Sequence, residues 1–272
     1  MHDYQMDHLD ELEAQSIYIF REAYHAFPDL AMLWSIGKDS TAALWLARKA
    51  FLGRVPFPLI HIDTTFKFPE MYEFRDYWAK EWGLDLRIGC NEEAVARGIS
   101  YENSDAFTIA HEMKTVALQQ FLAKHEFKGL FLGIRRDEEG SRAKERVFSP
   151  RDKNFEWHYK DQPPELWDQF NTDFGEDTHV RVHPILHWTE LDIWQYIRRE
   201  GIPTCSLYFA KDGLRYRSLG DQAVTKPIES EASTIDQIIE ELRDTKTPER
   251  AGRTMDQSRA YAMQKLRAMG YM

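Results

Sequence analysis

A twisted, parallel α/β sheet flanked by helices, with a C-terminal helical annex, is the fold class that three features of this 272-residue chain predict. Short apolar runs alternate with longer stretches of helical spacing, the pattern of strands joined by helical crossovers. The first of those runs stops at a compact glycine-containing loop directly before a helix. The composition, 43% hydrophobic and 29% charged, is that of a soluble globular chain long enough to bury a large core.

The elements follow in order. Residues 8–27 carry Leu9, Leu12, Ile17, Ile19, Phe20 and Tyr24 among charges, which predicts an amphipathic leading helix. Residues 30–34 are short and wholly apolar, a buried strand, and residues 40–51 read as the helix after the loop. The alternation repeats with a strand at 58–62, a helix at 68–82 and a strand at 84–88. A helix over 106–125 and a strand at 129–133 follow. From 134 to 179 the periodicity fails and Pro150, Pro163 and Pro164 accumulate with charge, which predicts a functional excursion. A fifth strand at 180–184 precedes a helix that Thr189 and Asp192 cap and that Gly201 and Pro203 stop. Helical runs at 233–244 and 248–269 make the annex. A boundary near residue 200 is expected to divide a nucleotide-binding α/β domain, 1–200, from the annex, 201–272, with a single domain as the alternative.

Composition excludes several functions. No run approaches the roughly 20 apolar residues that span a bilayer, and residues 1–10 lack the basic and apolar regions of a secretory signal, so a cytoplasmic location is expected. Cys90 and Cys205 are too few for a disulfide framework or a cysteine-rich metal site. A net charge of −10 argues against a nucleic-acid partner. Against that acidic background, residues 133–152 hold Arg135, Arg136, Arg142, Lys144, Arg146 and Arg151, a concentration of cations that suits a small anion.

The loop Ser35-Ile36-Gly37-Lys38-Asp39-Ser40 has the parts a polyphosphate needs. Gly37 lets the backbone approach closely, and the helix N-terminus presents N–H groups and a favourable dipole. Lys38 adds charge, Ser35 and Ser40 add hydroxyls, and Asp39 can hold magnesium. Read alone, the same residues also fit an ordinary strand-to-helix turn capped by Asp39 or Ser40. Neither the Walker A spacing nor the dinucleotide fingerprint is present.

That loop resembles the PP-loop of the adenine nucleotide α-hydrolase superfamily. Further segments are similar to the small catalytic subunits of bacterial ATP sulfurylases: His61-Ile62-Asp63-Thr64, the stretch Phe68 to Asp76, Arg135-Arg136-Asp137-Glu138, Ser141 to Arg146, His187 to Ile197, and Arg215 to Gly220. The resemblance runs from about residue 8 to the C-terminus. It implies cleavage of ATP between its α- and β-phosphates with magnesium, sulfate as the acceptor, and a GTPase large subunit as partner. Nothing in the chain supplies a second NTPase site.

By this resemblance, Lys38, Asp39, Arg135 and Arg136 carry the chemistry. Ser35, Gly37, Ser40, His61 and Asp63 contact the nucleotide, and Arg142, Arg146, Arg215 and Arg217 meet anions. The arginine forks match tetrahedral oxyanions, and Arg215 and Arg217 alternate about Tyr216, so an extended backbone puts both on one face. Plainer readings stand beside these: His61 satisfying strand-end groups, the arginines pairing with Asp137, Glu138 and Glu139, Trp188 and Trp194 filling the core. Two features depart from the family pattern. Few residues separate Leu207-Tyr208-Phe209 from Arg215, and Asp221-Gln222 stands where Cys-Trp is usual; Asp221 reads as a magnesium ligand or a loop cap. Both changes fall where an acceptor or partner is read, which keeps a different adenylylated acceptor open. A sulfonucleotide reductase would need a nucleophilic cysteine near the C-terminus, and none follows Cys205. A non-enzymatic nucleotide sensor is the reading from another class.

Overall fold

The computed structural model describes residues 5–175, 178–250 and 268–269. Helix α1 (His8–Ala26) opens with a capping box, in which Asp7 and Asp10 exchange side-chain and backbone bonds. It leads into β1 (Leu30–Leu33), whose four residues are all buried, as expected of a strand covered on both faces. After it come α2 (Lys38–Ala50), β2 (Leu59–Ile62), α3 (Pro69–Glu81) and β3 (Leu86–Gly89). Pro69 begins α3 at the position where a missing N–H costs nothing. The short helix α4 (Glu92–Ala96) has no counterpart in the sequence-based reading.

The helix expected over 106–125 is interrupted. It consists of α5 (Ala106–Ala110), a π-helical turn over His111–Val116, and α6 (Ala117–His125). Apolar spacing reports only that one face packs inward, so it does not register a local widening of the turn. Beyond it lie β4 (Gly129–Phe131), β5 (Phe148–Arg151), β6 (His179–Val182) and α7 (Glu190–Glu200). Thr189 and Asp192 form a reciprocal capping box on α7, and Gly201 ends it with a φ of 64°. A two-stranded ribbon, β7 (Leu214–Arg215) and β8 (Ile228–Glu229), precedes α8 (Ile235–Asp244). The helix expected at 248–269 lies almost entirely outside the described residues.

The main sheet has six strands in the order β3-β2-β1-β4-β6-β5. Five are parallel, with Met32 opposite Leu59 and Leu30 opposite Gly129. The sixth, β5, runs antiparallel to β6 and is an edge strand that the sequence-based reading did not contain. It arises inside the stretch read as an excursion, because Phe148-Ser149-Pro150-Arg151 contains a proline that only an edge strand tolerates. From β1 the chain moves outward through β2 and β3, then returns to β4 on the other side of β1. That reversal opens a crevice at the carboxyl ends of β1 and β4, the usual ligand position in such sheets. Trp34, Phe131, Trp188, Trp194, Tyr196, Ile238 and Ile239 belong to one buried cluster, so α8 packs on the same core as the sheet. Among the described residues no helix is long and apolar enough to cross a membrane.

Candidate active site

The crevice is lined by the loop after β1, by the segment after β4 and by loops from the C-terminal third of the chain, including Ser35, Gly37, Asp39, Ser40, Gly133, Arg142 and Glu249. Its floor is the turn from β1 into α2. There Ile36 adopts a φ of 70°, which is costly for a β-branched residue and is held by burial to 1% exposure. The Ser35 hydroxyl donates to Ser40 Oγ at 3.0 Å, and Ser40 Oγ donates to the Gly37 carbonyl at 3.1 Å. The Lys38 amide donates to the Tyr208 hydroxyl at 2.8 Å, tying the helix N-terminus to a residue 170 positions away.

Within the protein itself, the tightest backbone approach beside the loop is at Gly133 rather than at Gly37. A Cβ on Gly37 would meet Ser35 Oγ and the Tyr208 hydroxyl at 3.6 Å, ordinary contact. A Cβ on Gly133 would fall 2.7 Å from Ser40 Cα and 2.9 Å from Ser40 N, against backbone that cannot step aside. Gly133 thus lets the end of β4 pass directly under the first turn of α2. In sequence it looked only like a strand end.

That approach delivers Arg135 to the loop. Its Nε donates to Asp39 Oδ1 at 2.6 Å and its Nη1 to Asp137 Oδ1 at 2.5 Å, while Nη2 meets Glu249. Lys38 Nζ donates to Asp39 Oδ2 at 3.0 Å and also to Glu249. Burial works to lower the Lys38 pKa, but Asp39 and Glu249 outweigh it and hold the ammonium firmly charged. Burial likewise works to raise Asp39, and Arg135 and Lys38 pull it below the ordinary carboxylate value. Glu249 is pushed up to about 7 by burial, against the pull of Lys38 and Arg135. No feature of the sequence marked Glu249, a lone glutamate at the start of the run read as a helix of the annex.

The other residues singled out in sequence divide by place. Arg142 lines the crevice, paired with Glu138 and, at 3.3 Å, with Glu139; Arg250 meets the same two carboxylates at 2.9 and 3.1 Å. Arg217 stands one step behind: it forks onto Glu190 at 2.7 Å, and the Glu190 amide donates to Asp137 at 2.8 Å. Arg215 is fully buried between Ser230 and Glu241, so Arg215 and Arg217 serve different pairs. Arg136 and Arg146 line a separate depression with Glu165 and His187. Arg136 is 2.9 Å from His187 Nδ1 and donates to the Glu145 carbonyl, and Arg146 donates to the Pro163 carbonyl.

His61 is fully buried with its Nδ1 2.9 Å from the Trp34 carbonyl, and burial lowers its pKa to about 4, so it is neutral. Asp63 accepts from the Thr65 amide and the Tyr72 hydroxyl, both at 2.8 Å. Asp221, read as a magnesium ligand or a loop cap, is completely buried, 3.2 Å from Lys67 Nζ and 3.0 Å from Lys114 Nζ. It also accepts from Thr64 Oγ1 and the Tyr101 hydroxyl.

A parallel sheet whose first strand feeds a compact loop at a helix N-terminus, with an arginine brought over from the next crevice strand, is the architecture of a nucleotide-handling class. The chain matches the phosphoadenosine phosphosulfate reductase domain over residues 29–227, and at fold level it is similar to that reductase from Candida auris (TM-score 0.56, 19% identity, covering 82% of this chain and 98% of that one). Yeast FAD synthetase shares the fold as well (TM-score 0.54, 17% identity, 93% of each chain).

Within that class the chain belongs to the sulfate adenylyltransferase subunit 2 family. It is 45% identical over 299 residues to the Saccharophagus degradans protein of that name, covering 99% of each chain, and 44% identical to the Parabacteroides distasonis one, covering 100% of each. An alignment longer than this chain's 272 residues means that the relatives carry insertions it lacks.

Proposed function

We propose that the chain transfers the adenylyl group of ATP to sulfate, giving adenosine 5′-phosphosulfate and pyrophosphate. The observation that carries this reading is the meeting of Lys38, Asp39 and Arg135 on the loop after β1, in a chain whose relatives bear the adenylyltransferase name throughout their length. A sulfate oxygen attacks the α-phosphorus, the bond between that phosphorus and the α,β-bridging oxygen breaks, and pyrophosphate leaves with the electron pair. Such a reaction asks the protein for position and charge rather than covalent chemistry. The N–H groups at the start of α2, with Lys38 and Arg135, hold the leaving pyrophosphate. Magnesium suits the oxygen donors here: Asp39, on the crevice wall, would hold it, and the ion would neutralise charge on the departing phosphates.

Joining two oxyanions in an anhydride is strongly uphill, so the reaction needs a driving partner. The relatives' designation as subunit 2 supports a heteromeric enzyme, and a GTPase subunit acting in the cytoplasm fits that need. The test follows ATP labelled on the α-phosphate with magnesium and sulfate, with and without the GTPase subunit, and with Asp39→Ala as control. Labelled adenosine phosphosulfate, dependent on sulfate and lost in the variant, is expected. Labelled ADP overturns the reading, and α-cleavage that ignores sulfate moves the acceptor elsewhere.

A further inference from the structure

The crevice has a second cationic wall, distinct from the loop after β1. Lys67 and Lys114 both line it, from the loop after β2 and from the π-helical turn between α5 and α6. Widened turns of this kind recur where a helix must place a side chain at a site. The two ammoniums meet the two oxygens of one carboxylate, Lys67 at 3.2 Å on Asp221 Oδ1 and Lys114 at 3.0 Å on Oδ2. Thr64 Oγ1 donates to Oδ1 at 2.7 Å and the Tyr101 hydroxyl to Oδ2 at 2.9 Å, so three segments of chain converge on a side chain with no exposure to solvent. The backbone is fastened at the same place. Lys67 and Asp221 form an isolated antiparallel bridge, and the Gln222 amide donates to the Phe66 carbonyl at 2.8 Å.

A buried carboxylate is stable only when cations and donors surround it. Burial alone would raise Asp221, yet Lys114, Lys67 and the Thr64 hydroxyl hold it well below the usual carboxylate range. The arrangement fixes two long, otherwise mobile side chains at the crevice wall in charged form. Ser218, Leu219 and Gly220, just before Asp221, line the same crevice. A leaving pyrophosphate already has Lys38, Arg135 and the amides of α2; the acceptor, a tetrahedral dianion, needs cations on another side of the α-phosphorus.

We infer that Lys67 and Lys114 bind the oxyanion acceptor and that Asp221 is the positioning residue that holds them. The inference rests on the adenylyl-transfer reading above. Its test uses the complete two-subunit enzyme, with rates of adenosine phosphosulfate formation measured against sulfate at saturating ATP and against ATP at saturating sulfate. Lys67→Gln and Lys114→Gln each raise the KM for sulfate about 10- to 100-fold, the loss of one charge-assisted contact, and leave the KM for ATP within about twofold. Lys67→Arg and Lys114→Arg restore part of the loss. Asp221→Asn raises the sulfate KM in the same selective way; if that variant does not fold, the lysine variants decide alone. An unchanged sulfate KM in both glutamine variants of an enzyme that does make adenosine phosphosulfate overturns the inference and spares the reading of function. A rise confined to the KM for ATP assigns the lysines to the nucleotide and overturns it too. If the unaltered enzyme forms no adenosine phosphosulfate from sulfate, the functional reading fails first and takes this inference with it.

Discussion

The two charged walls of the crevice are assembled in opposite proportions. On the wall after β1, two cations, Lys38 and Arg135, meet three carboxylates, Asp39, Asp137 and Glu249. On the other wall a single carboxylate, Asp221, meets two ammoniums. In the first arrangement Asp39, Asp137 and Glu249 already occupy the donors of Lys38 and Arg135, so under the proposed function a phosphate would have to compete for those cations. In the second, one carboxylate serves only to aim two cations. The difference separates two uses of buried charge that the proposed function assigns here, a carboxylate that a ligand would displace and a carboxylate that braces cations behind one.

The sharpest way to separate the walls is Lys38→Ala. Removal of the ammonium that the proposed function sets against the leaving group lowers kcat/KM for ATP by on the order of 10³. Steady-state rates with both substrates check this; a loss that fell only on the KM for sulfate would erase the division of labour. Next in size is Arg135→Ala, which leaves Asp39, Asp137 and Glu249 without their shared partner. Breaking a buried network of this kind costs about 3 to 5 kcal/mol, and urea unfolding at neutral pH reads it directly. A cost under about 1 kcal/mol would mean that the carboxylates are already solvated.

The smallest effect tests the displaceable carboxylate. Glu249→Gln removes the competing charge, so the affinity for pyrophosphate rises about tenfold at pH 8. Because burial raises this carboxyl to about 7, the wild-type side chain takes up a proton below that pH and the two proteins converge near pH 6. Calorimetric titrations at the two pH values measure the difference. A gap independent of pH would show that Glu249 does not titrate there.

Much of the architecture was readable before any coordinates. Five strands and the principal helices follow from apolar runs and caps, since burial on both faces of a parallel sheet leaves continuous apolar segments. The edge strand β5 was not, because a proline and two polar residues erase that signal. Around the crevice, the sequence named Lys38, Asp39, Arg135 and Arg142, and the fold brings the first three together across 96 residues. It also grouped Arg136, Arg146 and Arg215 with them, and the structure places these in other surroundings, because proximity along the chain does not say which way successive side chains turn. Lys67, Lys114 and Glu249 gave no signal at all: each is a single charged residue outside any cluster of like charge, and only the path of the backbone decides where it ends up. Asp221 was noticed as a departure from a familiar pattern, yet its partners lie 107 to 157 residues away.

The antiparallel strand β5 has a consequence for the protein as a colloid. A sheet that ended at β6 would present a row of open N–H and C=O groups to any other copy of the chain, a template for stacking. Phe148–Arg151 covers that row with only four residues, and Pro150 withholds one donor from the outermost edge. A short terminal strand interrupted by proline is a poor surface on which to nucleate fibres. Stretches rich in charge, often dismissed as connecting tissue, can therefore govern how concentrated a cell may keep an enzyme before it aggregates.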